Sequence, residues 1–137
     1  MSGKGALDVA AAMVAIMLVL HFDMANSKNY MVGNKDGVTS AYGWTAKSPA
    51  ATYYPSGIGL RTGDTLQFIY YKEVHNVVGV GPTGYKNCDG SNGRKYKSGN
   101  DIIALKQGWN YFICTTRTRK NGNMCHAYAM KIAVNAN

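Results

Sequence analysis

The sequence predicts an all-β fold, an antiparallel Greek-key sandwich of about seven short strands with short helical turns. Three observations carry this. Short β-branched and aromatic runs recur between Gly, Pro and Asn signals through residues 28–137. One of them, Thr65 to Tyr71, alternates strictly, with Leu66, Phe68 and Tyr70 on one face and Thr65, Gln67 and Ile69 on the other. No stretch of the same region carries a convincing amphipathic-helix period.

Residues 1–27 read as a leader rather than as part of that fold. Lys4 precedes an uninterrupted apolar run from Val9 to Leu20, shorter than the roughly 20 residues that span a bilayer. Ala25 and Ser27 then supply the small residues of a processing site. This is the pattern of a secretory signal peptide with cleavage after Ser27, leaving no transmembrane segment in the mature chain. The alternative is an uncleaved membrane anchor. Lys28 to Asn137 would form one domain, too short for a second core.

Within that domain Asn29 to Val32 is a strand candidate, followed by the turn-rich stretch Gly33 to Gly37. Gly43-Trp44 is an aromatic anchor of the kind that fills a core or plugs one end of a sandwich. Lys47 to Gly59, with Pro49 and Pro55, reads as loop with one helical turn around Ala50 to Tyr53. Gly63-Asp64 turns the chain into the Thr65 strand. Val74 to Val80 is β-branched and apolar, so His75 stands at the start of a strand. Gly81 to Gly99, which contains Cys88, reads as turn and loop. Asp101 to Leu105 is a short strand, and Gln107-Gly108 turns into Tyr111, Phe112, Ile113 and Cys114. In the last strand Ile132 and Val134 alternate with Lys131 and Ala133.

The chain holds 15 Lys and Arg against 7 Asp and Glu. Without Lys4, Asp8 and Asp23 the mature part keeps 14 against 5, a net charge of +9. A secreted monomer of that charge is drawn to polyanions, and outside a cell these are acidic polysaccharides or anionic lipid surfaces rather than nucleic acid. Solubility alone is the competing explanation, because the basic residues are scattered apart from Arg94, Lys95 and Lys97 and the trio Arg117, Arg119 and Lys120.

The chemistry concentrates between Trp109 and Val134. Two strands there flank a polar loop that carries or borders Cys114, His126 and Met130, with Cys125 beside the histidine. Thiol, imidazole and thioether are soft or borderline ligands that can converge on one metal ion. His75, the other histidine of the mature chain, would complete the set. In an oxidising compartment two of Cys88, Cys114 and Cys125 should pair, and the count alone leaves all three pairings open. A leftover thiol is accounted for more economically as a metal thiolate than as a free group. No Ser/His/Asp or paired-carboxylate arrangement rises above background, so no enzyme is expected. A metal-free dithiol function is disfavoured because no Cys-x-x-Cys is present.

Several dispersed motifs fall in one family order: Tyr30-Met31-Val32-Gly33, Gly43-Trp44-Thr45, Arg61 to Tyr70, His75-Asn76-Val77-Val78, Tyr85 to Cys88, Tyr96 to Leu105, Gly108 to Cys114 and Met130 to Ala136. Through them the mature chain resembles the phytocyanins, the plant branch of the cupredoxins, most of all their plantacyanin or basic blue protein group. The resemblance implies a cupredoxin-like sandwich holding one type 1 copper ion and carrying single electrons in the extracellular matrix or cell wall, to a redox partner it does not specify. It assigns His75, Cys114 and Met130 as copper ligands, expects His126 as the second imidazole, and pairs Cys88 with Cys125.

One departure stands out. The family writes its ligand loop Cys-x4-His-Cys-x3-Met, whereas here Cys114 is followed by an insertion rich in Arg, Lys and Asn and the dipeptide is reversed to Cys125-His126. Aligned on Cys125, the ligand position holds Met124. Aligned on His126, the cysteine falls on the wrong side and the spacing to Met130 is one residue short. The competing function is therefore a copper-free module of the same fold that binds acidic cell-wall polysaccharide or a partner protein.

Overall fold

The computed structural model describes residues 8–17, 26–33, 43–46, 59–119 and 121–137. Residues 8–17 form helix α1, exposed along its length and lying in the segment read as a leader. No helix among the described residues is long and apolar enough to cross a membrane. The helical turn expected around Ala50 to Tyr53 lies outside the described residues.

Among the described residues seven strands follow: β1 (Asn29–Met31), β2 (Thr65–Ile69), β3 (Val77–Val80), β4 (Arg94–Tyr96), β5 (Asn100–Ala104), β6 (Gly108–Ile113) and β7 (Lys131–Ala136). Two short helices are interleaved, α2 (Pro82–Asn87) between β3 and β4 and α3 (Met124–Tyr128) between β6 and β7. The strands make a three-stranded sheet in the order β1-β2-β5 and a four-stranded sheet in the order β4-β3-β6-β7. All pairings are antiparallel except β1 with β2, which runs parallel with Tyr30 opposite Leu66. The long connection between those two strands permits that arrangement, which a tight hairpin would forbid.

The core lies between the sheets and follows the alternation of the sequence. Leu66 and Phe68 from β2 and Ile103 from β5 meet Val77, Phe112, Ile132, Val134 and Ala136 from the larger sheet. Trp44 is fully buried among them, edge-on to Phe68 with ring centroids 5.1 Å apart. A smaller cluster, Val78, Cys88, Ile113 and Cys125, covers the outer face of the larger sheet. Neighbours Val77 and Val78 thus serve opposite faces, as strand geometry requires.

The stretch Gly81 to Gly99 is more ordered than its composition suggests. Pro82 opens α2, where its fixed φ suits a first helical position, and Cys88 closes it in the left-handed region at φ 52°. A helix of six residues is too short to display a period. Strand β4 was hidden by Arg94 and Lys95, exposed charges on a sheet edge, which is where sheets use charge to discourage further pairing.

Candidate metal centre

His75 does not lie in a strand. Val74 N–H and His75 N–H both donate to Tyr71 O, at 3.0 and 2.9 Å, so a turn delivers the histidine to the end of the sandwich two residues before β3 begins. Its imidazole is buried, and burial holds its pKa below the usual histidine range, which keeps a nitrogen lone pair available for a metal. Cys114 follows the last residue of β6, is fully buried, and lies outside any disulfide. Its Sγ is 3.8 Å from His75 Nδ1. Two ligands at about 2.0 Å (nitrogen) and 2.3 Å (sulfur) from one ion, opened to a roughly trigonal angle, span about that distance. The pair therefore fits a shared metal.

Met130 is fully buried in the same core cluster as Cys114. Cys114 N–H donates to Met130 O at 3.0 Å, so the turn from α3 into β7 is fastened directly to the cysteine. His75, Cys114 and Met130 thus share one buried end of the molecule.

His126 is not brought to them. It is exposed, and both its N–H (3.0 Å) and its ring Nδ1 (3.1 Å) meet Asn123 Oδ1. Its ring borders a surface cavity of about 230 Å³ shared with Thr115, Arg117, Gly122 and Asn123. Among the described residues no three His, Cys, Asp or Glu side chains gather closely enough to hold an ion. The cause is the phase of α3: at 3.6 residues per turn, positions two apart point about 200° from each other. Cys125 and half-buried Met124 face inward, leaving His126 outward.

The disulfide joins Cys88 to Cys125. It links the ends of two short helices that could not hold position alone, and Asn123 Nδ2 adds a bond to Cys88 O at 2.8 Å. At a sequence separation of 37, the chain-entropy estimate for such a cross-link is about 4 kcal/mol. Replacing both with serine should lower stability by about that amount, measurable as a reduced midpoint in guanidinium unfolding.

Two groups that hold the centre escaped the sequence reading. Asn76, buried beside His75, accepts from Thr115 N–H at 2.9 Å and donates to Thr115 Oγ1 at 3.0 Å, tying the histidine's neighbour to the cysteine's neighbour. Its carbonyl accepts from Trp44 Nε1 at 2.9 Å. Thr116 Oγ1 lies 3.2 Å from Cys114 Sγ, a polar contact to the sulfur. Asn123 caps α3, and a lone Asn before a short apolar run is a recognisable start signal. Asn76 had no such local signal, since its partner is 39 residues away.

Residues 44–126 match the plastocyanin-like domain family. The chain is 39% identical to chemocyanin of Lilium longiflorum, over 98% of this chain and 96% of that protein. It is 39% identical to basic blue protein of Cucumis sativus, over 78% of this chain and 97% of that protein. Among solved structures, cucumber basic protein, a blue copper protein, and spinach plantacyanin each superpose with a TM-score of 0.57 at 36% identity, covering 80% of this chain and 99% of theirs. Cucumber stellacyanin superposes with a TM-score of 0.59 at 26% identity, over 80% of this chain and 94% of its own.

Proposed function

Because the chain belongs to the plastocyanin-like, or phytocyanin, family of cupredoxin-fold proteins, we propose that it is a secreted copper protein that carries single electrons outside the cell, with His75, Cys114 and Met130 holding the ion. The observation that carries this reading is the buried pair His75 Nδ1 and Cys114 Sγ, 3.8 Å apart, with the cysteine left out of the disulfide. Bound copper supplies the one-electron couple. The protein's own residues supply the rest. Cys114 offers a thiolate and His75 a neutral imidazole in a site shielded from bulk water. The Asn76–Thr115 clasp and the Cys114–Met130 backbone bond hold the donors in place, so that little reorganisation accompanies a change of charge. Secretion and processing after residue 27 are supported by the apolar run from Val9 to Leu20 followed by the small residues Ala25 and Ser27.

The test is copper content. Oxidised protein loaded with excess Cu(II) and passed through gel filtration is expected to retain one copper per chain, and Cys114→Ser to retain none. Wild-type protein that emerges folded and free of copper after Cu(II) loading and also after anaerobic Cu(I) loading would leave only the copper-free module.

The redox partner is unassigned, and acidic polysaccharide is a second proposed partner. Its support is an aromatic row on the outer face of the larger sheet. Trp109, 59% exposed, stacks on Tyr111 with centroids 6.2 Å apart, and Tyr111 meets Tyr85 at 5.2 Å. Lys131 Nζ lies 4.4 Å from the Tyr85 ring centroid. An exposed tryptophan ring continued by half-buried tyrosines beside a lysine suits a chain of anionic sugars. Retention on immobilised polygalacturonate should fall with added salt and weaken several-fold in Trp109→Ala; retention by neither protein would remove this partner.

A further inference from the structure

We propose that the fourth donor at the centre is the Met124 thioether in place of a second imidazole, so that one imidazole, one thiolate and two thioethers hold Cu(I) in preference to Cu(II). The inference rests on the copper reading above and specifies it.

The placement of Met124 comes first. It is half-buried and packs against the cluster that contains both Cys114 and Met130. Its backbone is woven into theirs: Met124 N–H donates to Thr116 O at 2.8 Å, and the Thr116 hydroxyl reaches Cys114 Sγ. Cys125 N–H donates to Cys114 O at 3.0 Å, and Met130 N–H reaches Met124 O at 3.4 Å. Residues 114, 124 and 130 are thus stitched together by main chain alone.

Local order then keeps His126 away. Turning α3 to aim that imidazole inward would swing Cys125 off Cys88 and break both contacts of His126 to Asn123. The disulfide and the Asn123 cap therefore set the helix in the phase that presents Met124. The reversed Cys125-His126 order has the same consequence in sequence terms, since the residue immediately before the disulfide cysteine is Met124.

Chemistry supplies the redox preference. Thioether sulfur is a soft donor that favours Cu(I), whereas imidazole accommodates Cu(II) as well. Exchanging one imidazole for a thioether shifts the site towards the reduced ion and raises its potential.

Anaerobic Cu(I) competition against bathocuproine disulfonate tests this on disulfide-intact wild type, Met124→Leu and His126→Ala. Leucine keeps the volume of methionine, and matched unfolding midpoints of the copper-free proteins identify any loss of folding. The expected result is Cu(I) affinity at least tenfold weaker in Met124→Leu and within twofold of wild type in His126→Ala. Met124→His, which adds an imidazole, should lower the midpoint potential of the bound copper. A tenfold loss in His126→Ala with Met124→Leu unchanged would overturn the assignment while leaving the copper reading intact. Wild type that takes up neither Cu(I) nor Cu(II) would overturn the copper reading itself, and this assignment with it.

Discussion

Trp44→Ala is expected to cost about 3–5 kcal/mol of folding stability. The side chain is fully buried, packs edge-on against Phe68 and joins the cluster that unites both sheets. Its truncation opens a cavity between β2 and the larger sheet. It also strands the Asn76 carbonyl, whose partner is Trp44 Nε1, and an unsatisfied buried acceptor adds a penalty of about 1–3 kcal/mol where the site cannot relax. Urea unfolding monitored by circular dichroism would show the loss as a lower midpoint with an unchanged slope. A midpoint equal to that of wild type would contradict the placement of Trp44 at the heart of the fold.

Asn76→Ala should have a smaller effect on folding and a larger one on the site. The substitution removes both contacts to Thr115 and leaves Thr115 N–H without its acceptor, at a cost of about 1–3 kcal/mol. Asn76 forms hydrogen bonds to Thr115 and Trp44 rather than to a proposed ligand atom. It joins the turn that carries His75 to the strand end that carries Cys114, and outer groups of this kind change metal affinity by about 10–100-fold when removed. Asn76→Asp keeps the acceptor and loses the donor, so its copper affinity should fall between the two. A folded Asn76→Ala that binds copper as tightly as wild type would reduce the clasp to a packing detail.

How far the sequence disclosed this molecule depended on the range of the interactions involved. Leu66 and Phe68 declared β2 through simple alternation, and Ile132 and Val134 declared β7, because burying one face of a strand imposes a period of two. Families of short motifs did the same for the sandwich as a whole. Signals failed where an element was too short or its role depended on distant residues. Helix α3 has five residues and reads as loop by composition; it exists because Asn123 caps it, the disulfide anchors it and Ala129 turns the chain at φ 50°. His75 was legible as a candidate from its rarity in the mature chain, yet the turn from Tyr71 that lifts it off β3 was not. His126 shows the limit most plainly. Its type and position near Cys125 suggested a ligand, but which way a side chain faces on a one-turn helix is decided by the cap and cross-link that set the helix in place.

The measurement that bears most directly on the whole account is the visible absorption and electron paramagnetic resonance of the copper-loaded, oxidised protein, compared with Cys114→Ser. Thiolate bonded to Cu(II) in a site of low coordination is expected to give an intense visible band and a compressed copper hyperfine pattern, both abolished when the sulfur is removed. A colourless Cu(II) form with the spectrum of an ordinary tetragonal site, unchanged in Cys114→Ser, would show that Cys114 and His75 do not share the ion and would contradict the electron-carrier reading at its root.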